Sequence, residues 1–318
     1  MLALCIESSH ARGMGHLFRA LALADGLREH NVDLIFLLNQ HQPALKLIAS
    51  RGYDSEIVPL ERPGEWEKDI VRKRNIRLWV NDRLNTDARH AACVTEAGIP
   101  LVTFDDRGSG APYADINVAA LIFDEAGALK GKRVLQGPDY LVINPEIRDF
   151  QRVRTNQTSL LVTLGGSDTY GVTLSVIRHL VKIGKAATVV VGPGFARMDE
   201  LKELLTPEFP LKQGVPSLIK EFSLHDLAVT GGGVTPFEAA ASGLPTIVIA
   251  NERFEVAVGQ ALENFGVSRY AGHHDDIDWS LFDIILPIET MSRRGIEKIG
   301  LHGRQRVITA IMELRCQS

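Results

Sequence analysis

The chain has 318 residues, carries a formal net charge of −4, and is 45% hydrophobic and 23% charged. That length suits two domains of roughly 150 residues each, and the composition is that of an ordinary globular protein. With no dominant basic block and no apolar run of about 18 residues, bulk nucleic-acid binding and stable membrane insertion are not expected. No basic region with a cleavage site is read at the start, and Cys5, Cys93 and Cys316 are too far apart to pair as a short motif. A cytoplasmic, reduced setting is expected.

Short runs rich in Val, Ile and Leu alternate with stretches of helical period, the pattern of βαβ units around a parallel sheet. In the first half, strands are expected at 2–7, 32–38, 55–59, 78–80, 101–104 and 115–118. Helices are expected at 16–28, 43–50, 65–74 and 87–97. Right-handed crossovers place these strands in one doubly wound sheet. The polar stretch 148–158 has no strong period and is read as the junction, giving domains at 1–154 and 155–318. A second alternation has strands at 160–164, 188–191, 226–229 and 246–250. Residues 289–315 read as helical with a break near 300–303, packing back toward the N-terminal domain. The fold class is α/β: two Rossmann-like, doubly wound parallel-sheet domains facing across a cleft.

The first strand runs into Arg12-Gly13-Met14-Gly15-His16-Leu17-Phe18-Arg19. Gly13 and Gly15 at a strand-to-helix turn let the backbone come close to a ligand. The helix start presents free N–H groups and the positive end of its dipole. The dipole disfavours an imidazolium at His16, and a neutral imidazole can accept a proton, which suits a general base. The alternative for His16 is a helix cap or a packing residue.

The second half carries loops of its own. Gly165-Gly166-Ser167-Asp168 follows a strand and can cradle a phosphate with backbone N–H groups. Asp168 fits a helix cap equally well. Gly231-Gly232-Gly233 at a strand end is costly in conformational entropy, and close approach of an anionic ligand would account for it. Thr235 is placed to donate to a phosphate, and Glu238 to accept ribose hydroxyls or simply to complement the helix dipole. Gln260 lies further along the next helix. No G-x-G-x-x-G with a downstream acid and no G-x-x-x-x-G-K-[ST] occurs in this half, which argues against a nicotinamide dehydrogenase and a P-loop ATPase. His273-His274-Asp275-Asp276 reads as a polar loop, because adjacent side chains are expected to diverge. No metal and no cofactor is expected.

Taken together, G-x-G-H-x-x-R at 13–19, Phe104-Asp105-Asp106 with Asn117, Gly137-Pro138-Asp139-Tyr140, Gly165-Gly166-Ser167-Asp168, the 231–238 loop leading to Gly243-Leu244-Pro245, and Gln260 resemble the GT-B nucleotide-sugar superfamily. Within it, the chain resembles the UDP-sugar hydrolase of the pseudaminic-acid pathway and its spore-coat polysaccharide relatives. The resemblance covers most of the chain. It implies hydrolysis of a UDP-linked deoxyamino sugar at the anomeric carbon, with His16 activating water and configuration inverted. It places Gly13, Gly15, Arg19, Asp82, Asp105 and Asp106 on the sugar and phosphate side. Gly165, Gly166, Ser167, Asp168, Gly232, Gly233, Thr235, Glu238 and Gln260 fall on the nucleotide side. Arg19, one turn from His16, sits near the phosphates or holds Asp105 or Asp106. Asn81-Asp82-Arg83 departs from the family's usual run at the rim of the sugar pocket, and the Glu-Asn-Gln run before the last ligand-facing helix is absent. Two alternatives stand beside hydrolysis: a GT-B glycosyltransferase with a sugar or lipid acceptor, and a nucleotide-sugar binder without catalysis.

Overall fold

The computed structural model describes residues 1–8, 15–121, 123, 129–166, 168–192, 194–215 and 217–316. The chain forms two compact units, one of Met1–Ser9, His16–Ile143 and His302–Ser318, the other taking Asn144–Leu301. The dividing point thus falls before the 148–158 stretch, and the C-terminal residues belong with the first unit.

The first unit runs β1 (Leu2–Ile6), α1 (Gly15–Glu29), β2 (Leu34–Leu38), α2 (Gln42–Ser50), β3 (Asp54–Ile57), α3 (Glu65–Arg74), β4 (Leu78–Asp82), α4 (Ala88–Glu96), β5 (Leu101–Phe104), β6 (Ile116–Ala119) and β7 (Arg133–Gln136). Its seven strands pair in the order β3-β2-β1-β4-β5-β6-β7, all parallel. β1 and β4 are buried along their whole length, as central strands covered on both faces should be. The chain leaves β1 toward β2 on one side and later returns to β4 on the other. The C-terminal ends of β1 and β4 therefore form the switch point at which open α/β sheets hold ligands.

The second unit has α5 (Ile147–Phe150), β8 (Leu160–Thr163), α6 (Val172–Lys182), β9 (Thr188–Val191), α7 (Met198–Leu204), β10 (Leu211–Gln213), α8 (Leu218–Ser223), β11 (Leu227–Thr230), α9 (Thr235–Ala241), β12 (Thr246–Ala250), α10 (Arg253–Asn264), β13 (Ser268–His273), β14 (Asp276–Ile277) and α11 (Ile288–Lys298). The sheet order is β10-β9-β8-β11-β12-β13-β14, parallel except for β14, which runs antiparallel to β13. Here the switch point lies between β8 and β11, flanked by Gly165-Gly166 and Gly231–Gly233. The last helix, α12 (Gly303–Cys316), belongs to the first unit, where Arg304 reaches Glu29 at 3.3 Å. No helix among the described residues is long and apolar enough to cross a membrane.

The stretch 148–158 is not a free linker. Arg154 is fully buried in the second unit and its guanidinium donates to the carbonyls of His225 (3.2 Å), Arg152 (2.8 Å), Phe222 (2.7 Å) and Ser242. These tie the chain before β8 to the end of α8 and the end of α9. An unsatisfied buried carbonyl costs about 1–3 kcal/mol. Arg154→Met is therefore expected to lower the urea unfolding free energy by roughly 3 kcal/mol or more. A loss under about 1 kcal/mol would show that water replaces the guanidinium without penalty.

Candidate functional site

At the first switch point, β1 and β4 lie in register, with Ile6 opposite Asp82. α1 starts directly above this edge, so its first turns present His16 and Arg19 toward the end of β4. His16 Nδ1 is 2.6 Å from Asp82 Oδ1. Arg19 forks onto the same carboxylate, Nε to Oδ2 at 2.7 Å and Nη2 to Oδ1 at 2.5 Å, and its Nη1 donates to Asp105 Oδ2. Its guanidinium also lies 5.0 Å from the centre of the Phe104 ring. Asp105 adopts a left-handed backbone, φ 47°, which turns the end of β5 so that its side chain returns to Arg19. Its other oxygen accepts the Leu121 N–H at 2.8 Å.

Arg19, Asp82 and Asp105 are all buried. Burial alone would raise the Asp82 carboxyl, but Arg19 and His16 beside it outweigh that and hold it well below the usual carboxylate range. Burial likewise opposes the Arg19 charge, and the two carboxylates more than restore it. An ionised Asp82 beside Nδ1 favours the proton on that nitrogen, and in a neutral imidazole this leaves Nε2 as the acceptor.

This network brings the predicted base His16 together with three of the predicted sugar-side residues, Arg19, Asp82 and Asp105. Arg19 is shown holding Asp82 and Asp105 and not Asp106. Asp106 instead accepts the N–H groups of Thr86 (3.0 Å) and Gly108 (2.8 Å), and Asn117 donates to its carbonyl at 2.9 Å, so it shapes the loop after β5. Gly15 opens α1, while Gly13 lies outside the described residues. In Asn81-Asp82-Arg83, strand alternation turns only the middle side chain toward His16. Asn81 accepts from Trp79 Nε1 at 2.8 Å, and Arg83 gives Nη2 to the Leu60 carbonyl at 3.2 Å.

In the second unit, Asp168 caps α6, accepting from Val172 and Thr173 at 2.8 Å each. That is the capping alternative, and its carboxylate is fully engaged there. Ser167 lies outside the described residues. The Gly166 carbonyl takes the Gly194 N–H at 3.0 Å. Gly232 is required by close packing, since a Cβ there would come within 2.6 Å of the Glu255 Cβ. Glu255 was not singled out in the sequence. Its Oε2 accepts from Gly232 (3.3 Å), Asn251 (2.7 Å) and Glu252 (3.4 Å). One of the glycine-loop amides expected for a ligand anion thus binds an internal carboxylate. The capping-box spacing of Glu252 and Glu255 was the available signal.

The amides of Gly233, Val234 and Thr235 at the start of α9 make no hydrogen bond within the described chain. Glu238 sits in the first turn of α9, and burial pushes its carboxyl up to about 7, against a hydrogen bond from the Asn144 backbone. Gln260 is exposed on α10. Five residues beyond Glu255, it lies about 140° round the helix from the side that meets Gly232. The expected divergence at His273-His274 does not occur: the two rings lie 4.2 Å apart and both Nδ1 atoms face Asp275.

No protein-family model matches the chain. It is 28% identical over 274 residues to an uncharacterized protein of Methanocaldococcus jannaschii, covering 78% of this chain but only 55% of that protein. The chain therefore spans about half the length of that relative. It is 22% identical to the spore coat polysaccharide biosynthesis protein SpsG of Bacillus subtilis over 279 residues, 82% of this chain and 80% of SpsG. Among solved structures, MurG of Acinetobacter baumannii superposes with a TM-score of 0.69 at 12% identity, covering 98% of this chain and 99% of MurG. The spinosyn rhamnosyltransferase SpnG complexed with thymidine diphosphate gives 0.61 at 14%, covering 98% of this chain and all of SpnG (100%). The fold is GT-B. Both seven-stranded sheets and the C-terminal helix that returns to the first unit are accommodated by that one architecture.

Proposed function

We propose that the chain hydrolyses a nucleotide-linked sugar, with UDP the nucleotide and a deoxyamino sugar the glycosyl group, and that it serves polysaccharide biosynthesis. The observation that carries this reading is the Asp82–His16 pair at 2.6 Å, which leaves Nε2 of His16 as a proton acceptor at the C-terminal edge of the first sheet. In this reading Nε2 takes a proton from water as the water oxygen attacks the anomeric carbon. The bond to the diphosphate oxygen breaks on the opposite face, so the sugar is released with inverted configuration. A nucleoside diphosphate leaves readily, so one positioned base suffices, contributing about 10²–10⁴-fold.

Arg19 is a positioning residue in this scheme: it holds Asp82, which holds His16. The open amides of Gly233, Val234 and Thr235 are proposed to meet the diphosphate, and Glu238 the ribose hydroxyls. The similarity to SpsG supports the biosynthetic setting.

Transfer to an acceptor is the second reading. It is favoured by structural neighbours that include a rhamnosyltransferase. The same base would then deprotonate an acceptor hydroxyl instead of water.

A proton NMR time course with UDP-linked amino and deoxyamino sugars, without acceptor, separates the two. Hydrolysis is expected to yield UDP and free sugar whose first-formed anomer is inverted. Intact substrate that is consumed only when a sugar or lipid acceptor is added would assign the chain to transfer.

A further inference from the structure

The hairpin of β13 and β14 carries a set of side chains that the reaction above does not use. His273 closes β13, His274 and Asp275 make the turn, and His273 pairs with Asp276 across it. His273 Nδ1 is 3.2 Å from Asp275 Oδ2, and His274 Nδ1 is 3.1 Å from Asp275 Oδ1. One ligand atom from each of the three residues can be chosen so that all lie within 4.8 Å of one another. In a tetrahedral zinc site with bonds of about 2.0–2.1 Å, ligand atoms stand roughly 3.3 Å apart. Each imidazole nitrogen thus already stands about one tetrahedral edge from an oxygen of Asp275, a different oxygen in each case.

The turn is also held in place before any ion arrives. Gly272 has φ 102°, and a Cβ there would come within 2.2 Å of the Asp276 carbonyl oxygen, so only glycine permits this tight a return. The His274 N–H donates to the Ala250 carbonyl at 2.9 Å. The His274 ring stacks on Tyr170 with centroids 4.0 Å apart, and the Tyr170 hydroxyl donates to Glu252 at 3.0 Å. Both imidazoles are only about one-sixth exposed, at 15% and 16%, while Asp275 is open at 65%. A cation held here would keep a face toward water.

We propose that His273, His274 and Asp275 form a site for a divalent transition-metal ion of the Zn²⁺ class, with two imidazole nitrogens, one carboxylate oxygen and water in the remaining position. Two nitrogens and one oxygen suit Zn²⁺, Ni²⁺, Co²⁺ or Cu²⁺ and not Mg²⁺ or Ca²⁺, which prefer an all-oxygen shell.

The test is calorimetric titration of the tag-free full chain with Zn²⁺ at neutral pH, repeated with Mg²⁺. One saturable Zn²⁺ per chain is expected, with no saturable Mg²⁺ at the same concentration. His274→Asn and Asp275→Asn are each expected to weaken Zn²⁺ binding at least about tenfold. His30→Asn, an exposed histidine in the other unit, is expected to leave it unchanged. Asp275 is exposed and bonds only within the turn, so its variant keeps the test valid if loss of the Tyr170 stack unfolds the His274 variant. Absence of saturable Zn²⁺ binding, or saturable binding indifferent to Asp275→Asn, would overturn the proposal and leave the cluster as a hydrogen-bonded turn.

Discussion

His16→Ala is expected to lower turnover of the nucleotide sugar by about 10²–10⁴-fold while leaving the dissociation constant of the free nucleotide within about twofold of the parent. The split follows from the fold. His16 hangs from α1 in the first unit, whereas the open amides of Gly233, Val234 and Thr235 and the Glu238 carboxylate belong to the second. Loss of the imidazole removes the proton acceptor but none of the groups proposed to hold the diphosphate and ribose. His16 is only 14% exposed but sits at the helix start and fills no core position, so the variant should fold. Steady-state kinetics together with nucleotide titration calorimetry check both halves. Unchanged turnover would remove His16 from its role. Loss of nucleotide affinity matching the loss of turnover would make it a binding residue.

The alternation of apolar runs and helical stretches made most of the fold legible. The expected spans 65–74, 101–104, 188–191 and 246–250 coincide with α3, β5, β9 and β12. Those strands are buried on both faces, or form continuous apolar runs, so local composition reports them directly. The missed strands have a physical reason. β7 and β10 lie at sheet edges, where polar residues are tolerated, and β10 has only three residues. β13 alternates buried and half-buried positions and includes Arg269 and Gly272, so it shows no apolar run.

Apart from what the family resemblance implies, the candidate site was legible only where its residues are neighbours in sequence. Gly15, His16 and Arg19 share one turn of chain and stood out together. Asp82 is 66 residues from His16, and its partnership depends on β1 and β4 being adjacent, which only the strand order reveals. Asp105 and Asp106 are consecutive and chemically identical. The left-handed backbone at Asp105 decides which of them turns back to Arg19, and nothing in the composition of that segment signals it. Glu255 shows no more than its capping-box spacing, and the His273–Asp275 turn reads in sequence as a polar loop, because the chemistry of both arises from backbone geometry at strand ends.

The same buried triad sets a second large effect, on stability. Arg19→Met is expected to reduce the unfolding free energy at neutral pH by about 3–5 kcal/mol, the cost of breaking a buried ion pair by removing one partner. It would leave Asp82 and Asp105 as two buried carboxylates without their shared cation. The pH dependence should change sign as well. In the parent, Asp82 is held below its ordinary value, so its contribution to stability is present above the unfolded pKa of about 4 and is lost only as pH falls through the lower folded value. Without Arg19, burial acts on the Asp82 carboxyl without its main counter-charge and raises it, so the folded variant binds protons more readily than the unfolded chain. Its stability should therefore rise as pH is lowered from about 7 toward 5, where the contribution of Asp82 in the parent stays flat. Urea midpoints measured across that range for both proteins test the argument. A variant within about 1 kcal/mol of the parent, with a parallel pH profile, would show that Asp82 and Asp105 do not depend on Arg19. Asp82 would then be free to hold His16 by itself.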